Sequence, residues 1–266
     1  MQLQGFFRTY FLPRRHTVLL IAIITTIGVR PLIGDVGASP LVFSIAVVVL
    51  MLFALYTIQV DELVGELVGE REVLLVQRRR RSIVGWVLAV SGIALRLATM
   101  VAPSHRLYTI GAISWFLFFS FVTVTELRGV LKHKVVTSET ISMSMSVYLL
   151  LGMTWGLLYV VIFAFQPQAF SFGASPAPIL VSEEQNVFPL FVYFSLTTLS
   201  TIGFGDITPL TLQSRYAAVA EGITGQFYLA ILVARLVALQ MSRSAHQDTS
   251  HETRTPDTGK VVDRDR

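Results

Sequence analysis

The sequence predicts an all-α membrane protein: six transmembrane helices, plus a short re-entrant helix that ends in a glycine-rich loop. Three observations carry this. Hydrophobic residues make up 53% of the chain and charged ones 14%, with a mean hydropathy of +0.64, too apolar for a domain surrounded by water. Apolar runs of the length that crosses a bilayer, about 20 residues, recur near 17–34, 40–60, 83–102, 107–126, 141–165 and 214–240. Basic residues are sided. The leader, the 61–82 and 127–140 loops and the tail hold sixteen of the twenty-one Lys and Arg residues, while Arg30, Arg106 and Arg215 fall on the opposite side. By the positive-inside rule both termini are expected in the cytoplasm.

Taken in order, the leader (1–16) brings Arg8, Arg14 and Arg15 to the start of span one, as a signal peptide would. The apolar run is long and no small-x-small cleavage site follows, so it is expected to stay as a span. After span two, DELVGELVGEREVLLVQRRRRS (61–82) places apolar residues at 63, 64, 67, 68, 74 and 75, one side of a helix, and reads as a cytoplasmic extension of that span. Its cluster Arg78, Arg79, Arg80 and Arg81 serves as an orientation signal and suits contact with anionic lipid. Span three carries Arg96, a charge that is costly inside a membrane, and Arg235 near the end of span six suits an interfacial anchor. Span four, LYTIGAISWFLFFSFVTVTEL (107–127), has no Lys or Arg. Spans one to four form a first domain (17–130), and 140–240 a second.

Within the second domain, a linker rich in Pro, Ser and Gly follows span five, and its Glu183 and Glu184 could concentrate cations. The apolar stretch 188–200 is too short to span but suits a re-entrant helix, with Pro189 in the first turn, where a missing N–H costs nothing. LTTLSTIGFGDITPL (196–210) then interrupts regular structure between apolar segments. Irregular backbone at membrane depth survives only when buried in protein or lining a water-filled path. Gly203 and Gly205 permit backbone angles closed to residues with a Cβ, so successive carbonyls can turn to one side and replace the hydration shell of a monovalent cation.

Those residues carry a family resemblance. Thr201-Ile202-Gly203-Phe204-Gly205-Asp206 resembles the selectivity filter of potassium channels, usually Thr-Val-Gly-Tyr-Gly-Asp. The short helix precedes it, a span lies on each side, and Thr198 and Thr201 match the family's Thr-x-x-Thr lead-in. EGITGQFYLAILVARLVAL (221–239) is similar to the inner helix of bacterial two-helix pore modules, so the resemblance covers about 140–240. It implies a selectivity-filter loop in which the carbonyls of Thr201, Ile202, Gly203 and Phe204, with the Thr201 hydroxyl and Gly205 in the same strand, coordinate potassium. Further implications are a homotetramer in a bacterial plasma membrane, and support of the filter by Asp206, Thr197 and Thr198. Gly225 matches the position where the family's inner helix bends, and can equally be read as a close-packing glycine. Glu221, one turn earlier, is a gating candidate or a fixed hydrogen bond between helices, with a partner expected among Thr197, Thr198 and Thr224.

Three departures stand out. Phe204 replaces the usual Tyr, and the pore helix lacks the paired Trp of many relatives, with Tyr193 and Phe194 nearby. Thr197 stands where some bacterial relatives have a Glu that partners the filter Asp, so Asp206 must find another partner or face water.

Other chemistry finds little to rest on. There is no cysteine, no phosphate-binding glycine loop, no H-E-x-x-H and no G-x-S-x-G, and His16, His105, His133, His246 and His251 show no metal-ligand spacing. An enzyme is not expected, nor any cofactor beyond potassium as the permeant ion. The basic residues report membrane orientation, without the aromatic interleaving that nucleic acid would require. The tail (241–266) is polar and expected to be disordered. The reading is a passive potassium-selective channel without strong voltage gating. Its alternatives are a weakly selective cation channel and a non-conducting regulatory subunit.

Overall fold

The computed structural model of the chain describes residues 14–33, 39–67, 72–102, 104–132, 137–173 and 187–252. Seven α-helices are found among them: α1 (Arg15–Ile33), α2 (Ser39–Leu67), α3 (Glu72–Val101), α4 (His105–Lys132), α5 (Ser138–Phe165), α6 (Val187–Leu199) and α7 (Leu212–Glu252). A 3-10 turn (Pro167–Ala169) and β1 (Phe170–Phe172) follow α5, and β2 (Ile207–Pro209) precedes α7. Four stretches are long and apolar enough to cross a membrane: Arg79–Thr99, His105–Lys132, Ser138–Phe165 and Leu212–Arg235. Shorter apolar stretches lie at Arg15–Gly28, Ser44–Val60 and Val187–Leu199.

The helices pack in sequence, α2 on α3, α3 on α4 and α4 on α5, while α1 closes back onto both α2 and α5. One core cluster runs through all of them, with Leu19, Ile23, Met51, Leu55, Phe118 and Tyr159 fully buried. At one end of the bundle a polar knot ties α1 to its neighbours. His16 and Glu126 are 5% and 4% exposed, with Nδ1 and Oε2 3.4 Å apart, and Thr57 donates to Glu126 Oε1 at 3.2 Å. Glu139 on α5 accepts from the Thr17 hydroxyl at 2.7 Å and from the His16 N–H at 3.2 Å. His16 is therefore part of a buried contact between helices, where the sequence suggested only a scattered histidine.

Two expectations are corrected. Residues 61–67 continue α2 as expected, but 72–82 open α3, so Arg78 to Arg81 belong to the start of the third helix and not to an extension of the second. No Gly or Pro interrupts the run from Glu72 to Arg81, so nothing stops the helix from beginning there. The segment from 241 is likewise no loose tail at its beginning: α7 continues to Glu252, because neither Gly nor Pro stands before Pro256 to stop it. Residues 1–13 of the leader, Glu183 and Glu184, His133 and the tail from 253 lie outside the described residues.

Near the other end, β1 and β2 pair antiparallel, Phe170 against Pro209 and Phe172 against Ile207. Gly173 N–H donates to Asp206 O at 2.7 Å and Leu210 N–H to Ala169 O at 2.8 Å. The Ser214 hydroxyl, at the start of α7, donates to Ala169 O at 2.9 Å. The chain that follows the glycine loop, 206–214, is thus clamped to the segment just beyond α5.

Candidate pore loop and its supports

The loop 201–206 follows α6 directly, and every one of its residues is exposed in the single chain. Thr201, Gly203 and Gly205 have φ of 60°, 55° and 78°, while Ile202 and Phe204 between them keep negative φ. For Thr201 the left-handed region costs about 1–2 kcal/mol, and hydrogen bonds from the next two residues hold the turn. Ile202 N–H and Gly203 N–H both donate to Thr197 O, at 2.9 and 3.2 Å, and Thr201 N–H donates to Thr198 O at 3.0 Å. Thr197 and Thr198 therefore meet the loop through their carbonyls. Among the described residues, no backbone hydrogen bond ends on the carbonyls of Thr201, Ile202, Gly203 or Phe204. A Cβ on Gly203 or Gly205 would meet nothing within 4 Å, so what requires glycine there is backbone angle and not space.

Asp206 has a partner after all. Tyr193, on α6, donates its hydroxyl to Asp206 Oδ2 at 2.9 Å, and its ring lies parallel to that of Phe204, 2° between planes and 6.2 Å between centroids. Asp206 Oδ1 accepts from Ile207 N–H at 3.1 Å. The hydroxyl that Phe204 lacks is thus matched by one from the helix beside it. Behind α6, Tyr159, Phe163, Phe170, Phe191 and Phe194 interlock edge-on and tilted, with centroids 4.7 Å apart for Phe170 and Phe191 and 5.0 Å for Tyr159 and Phe194. Aromatic mass takes the place of the absent Trp pair.

Glu221 is fully buried between three helices. Tyr159 of α5 donates to Glu221 Oε2 at 2.5 Å, and Ser195 of α6 is hydrogen-bonded to Oε1. Ser195 Oγ also lies 2.7 Å from Gly152 O of α5. Tyr159 and Ser195 both donate to Glu221, and the single Ser195 proton is shared between the carboxyl and Gly152 O, so one side chain of α7 is tied to α5 and α6 together. The threonines expected as its partners are occupied within their own helices: Thr197 and Thr198 donate to Phe194 O, each at 2.9 Å, and Thr224 to Ala220 O at 2.7 Å. Hydroxyls one helical turn from a carbonyl satisfy themselves locally. Nothing in the sequence near Glu221 pointed to its true partners, which are 62 and 26 residues away.

Gly225 is buried, and a Cβ there would come within 2.6 Å of Leu199 O. Its absence lets α7 touch the end of α6, the close-packing reading of this residue. Gly156 does the same for α5, where a Cβ would lie 3.1 Å from the Val192 backbone. Tyr228 adds a hydrogen bond to Ser144 O at 2.6 Å, fastening α7 to α5. Among the described residues no group of His, Cys, Asp or Glu is placed to hold a metal ion.

Residues 147–241, from the middle of α5 to beyond the middle of α7, match a family model described as ion channel. Over 73 residues the chain is 36% identical to Two-pore potassium channel 4 of Arabidopsis thaliana, a match covering 27% of this chain and 26% of that protein. The chain thus spans about a quarter of the length of the curated relative it matches. No solved structure matches it. Apolar helices and this family together make it an integral membrane protein. The matched segment, which takes in α6, the loop 201–206 and much of α7, is thus similar to ion channels, and the relative that it resembles is a potassium channel.

Proposed function

We propose that the chain is a passive potassium-selective channel, in which four copies each contribute the strand 201–205 to one carbonyl-lined filter. The observation that carries this is the alternation of φ along Thr201, Ile202, Gly203, Phe204 and Gly205, together with carbonyls left unused by the chain's own backbone. Alternating hand turns successive peptide units the same way, so their oxygens can replace the water around a dehydrated cation. α6 ends at the loop, and its dipole turns a partial negative charge toward the entering ion.

A single chain cannot surround an ion with such a strand. Ile202 and Phe204 are 58% and 67% exposed, and on α7 the apolar Ile223, Phe227, Ile231 and Val233 are each at least half exposed. Copies of the chain would cover these faces. In this reading α1 to α5 and α7 are the six spans, α6 is the re-entrant pore helix, and both termini are cytoplasmic in a bacterial plasma membrane. Asp206, Thr197 and Thr198 hold the filter, while Glu221 and Gly225 join the inner helix to it. Potassium sheds its water at the filter and advances by knock-on between adjacent sites. The side chains supply field and geometry rather than chemistry.

Potassium efflux from liposomes containing the purified chain is the test. Flux that Gly203→Ala abolishes, with the tetramer intact by cross-linking, supports the assignment; unchanged flux in that variant removes it. Equal sodium and potassium flux would favour the weakly selective alternative, and no flux a regulatory subunit.

A further inference from the structure

Arg96 of α3 lies in a setting that the pore does not explain. Its guanidinium donates through Nη2 to Ser44 Oγ at 2.8 Å, while its Nε is buried with no hydrogen-bond partner among the described residues. No carboxylate pairs with it among those residues either. The group borders a cavity of about 70 Å³ between α2, α3, α4 and α5, at the end of the bundle where α6 begins. Apart from Ser44, Thr99 and Tyr108 the walls are mainly apolar, Val47, Leu95, Trp115 and Phe188 among them. The residues that follow the polar pair in each helix, Ile45 and Leu97, are exposed and apolar, 63% and 57%.

A guanidinium with an open donor, in a mainly apolar chamber beside an exposed apolar surface, is costly unless an anion neutralises it. The chamber has room for about five water-sized groups, enough for a small anionic head and the first part of a chain. We propose that this cavity binds an anionic amphiphile, its acidic oxygens on Arg96 and its acyl chain leaving over Ile45 and Leu97 into the lipid. A fatty-acid carboxylate and the phosphate of an anionic lipid share this chemistry. Phe188, in the first turn of α6, lines the same cavity, so the occupant would touch the start of the pore helix. The site is independent of whether the chain conducts.

The chain has three Trp residues, and Trp115 lines the cavity, so fluorescence can report occupancy. In the full chain with Trp86→Phe and Trp155→Phe, reconstituted in phosphatidylcholine vesicles, Trp115 emission is titrated with 6,7-dibromostearate and, separately, with its uncharged methyl ester. The acid is expected to quench saturably at about tenfold lower mole fraction than the ester, as suits a charge-assisted contact. Arg96→Gln should move the acid's curve onto the ester's, and Arg96→Lys should leave it between the two. Phosphatidylglycerol carrying the same brominated chains identifies the source: saturable quenching by it assigns a lipid headgroup, and quenching by the acid alone assigns a free fatty acid. Acid and ester quenching alike, or an acid curve unmoved by Arg96→Gln, would mean bulk lipid only and overturn the proposal. Because the acid and ester are compared on unmodified Arg96, the test does not depend on any Arg96 variant folding.

Discussion

The pore region and the four-helix region are both built of apolar helices, but they treat buried polar groups differently. Around α6 the two carboxyl groups have defined partners, Glu221 with Tyr159 and Ser195 and Asp206 with Tyr193, and the N–H groups of Thr201, Ile202 and Gly203 meet the Thr197 and Thr198 carbonyls. In α1 to α4 the buried ionisable groups stand toward the two ends, the His16–Glu126 contact at one and Arg96 with its open Nε at the other. Between them the buried polar groups are uncharged and paired, Ser91 with Ser114 and the Trp115 indole with Gly92 O, and α4 carries no basic ladder. A region that must hold backbone in a strained conformation needs many fixed points; one that only packs helices does not. The difference predicts where substitutions will hurt.

Removing the carboxyl of Glu221 should cost most. Glu221→Ala leaves the Tyr159 hydroxyl without its acceptor and opens a void between three helices, about 3 kcal/mol by analogy with other buried polar deletions. Glu221→Gln should cost less, about 1 kcal/mol, because an amide fills the same space and its oxygen still accepts from a neighbouring hydroxyl. Unfolding midpoints in detergent check both, and a Gln variant as damaged as the Ala one would show that both carboxyl oxygens are required as acceptors.

Gly225→Ala follows in size. The new methyl would meet Leu199 O at 2.6 Å, backbone that cannot rotate away, so a loss of about 1–3 kcal/mol is expected from overpacking. If the thermal midpoint is unchanged and only open probability moves, Gly225 is a hinge and not a packing contact. Tyr193→Phe is smaller, about 1 kcal/mol, since it deletes one exposed hydrogen bond and keeps the stack on Phe204. Its signature should be faster loss of current during sustained conduction; kinetics identical to wild type would make the Asp206 contact incidental.

The four-helix region should contribute least to voltage sensing. Moving one charge across the full field is worth about 2.3 kcal/mol per 100 mV, and steep gating takes roughly 3–4 charges in each subunit. α4 has only Arg106, Arg128 and Lys132, all near its ends, and on α3 Arg96 alone stands apart from the cluster Arg78 to Arg81 at the start of the helix. Open probability should therefore change less than about tenfold across 100 mV in symmetric potassium; a steeper rise would reveal a sensor elsewhere.

The same contrast governs what could be read from the sequence. Thr201 to Asp206, the short apolar helix before them and the long apolar runs were legible because each is a local pattern, with glycine where backbone angles demand it. Even there, positive φ at Thr201 was hidden, since a threonine carries no sign of left-handed backbone. The partners of Glu221 and Asp206 depend on how α5, α6 and α7 lie against one another, which no spacing records. The start of α3 and the extent of α7 are hard to read for another reason: hydropathy locates only the apolar run, and Arg, Glu, Gln and Ala continue a helix well in water on either side of it.

The central claim is that the unused carbonyls of 201–204 form a potassium-selective path, and the reversal potential of the purified chain in a planar bilayer tests it most directly. With potassium on one side and an equal concentration of sodium on the other, current should reverse far toward the potassium equilibrium potential, and Gly203→Ala should carry no current. Reversal near zero, or a Gly203→Ala variant that conducts like the wild type, would contradict the account.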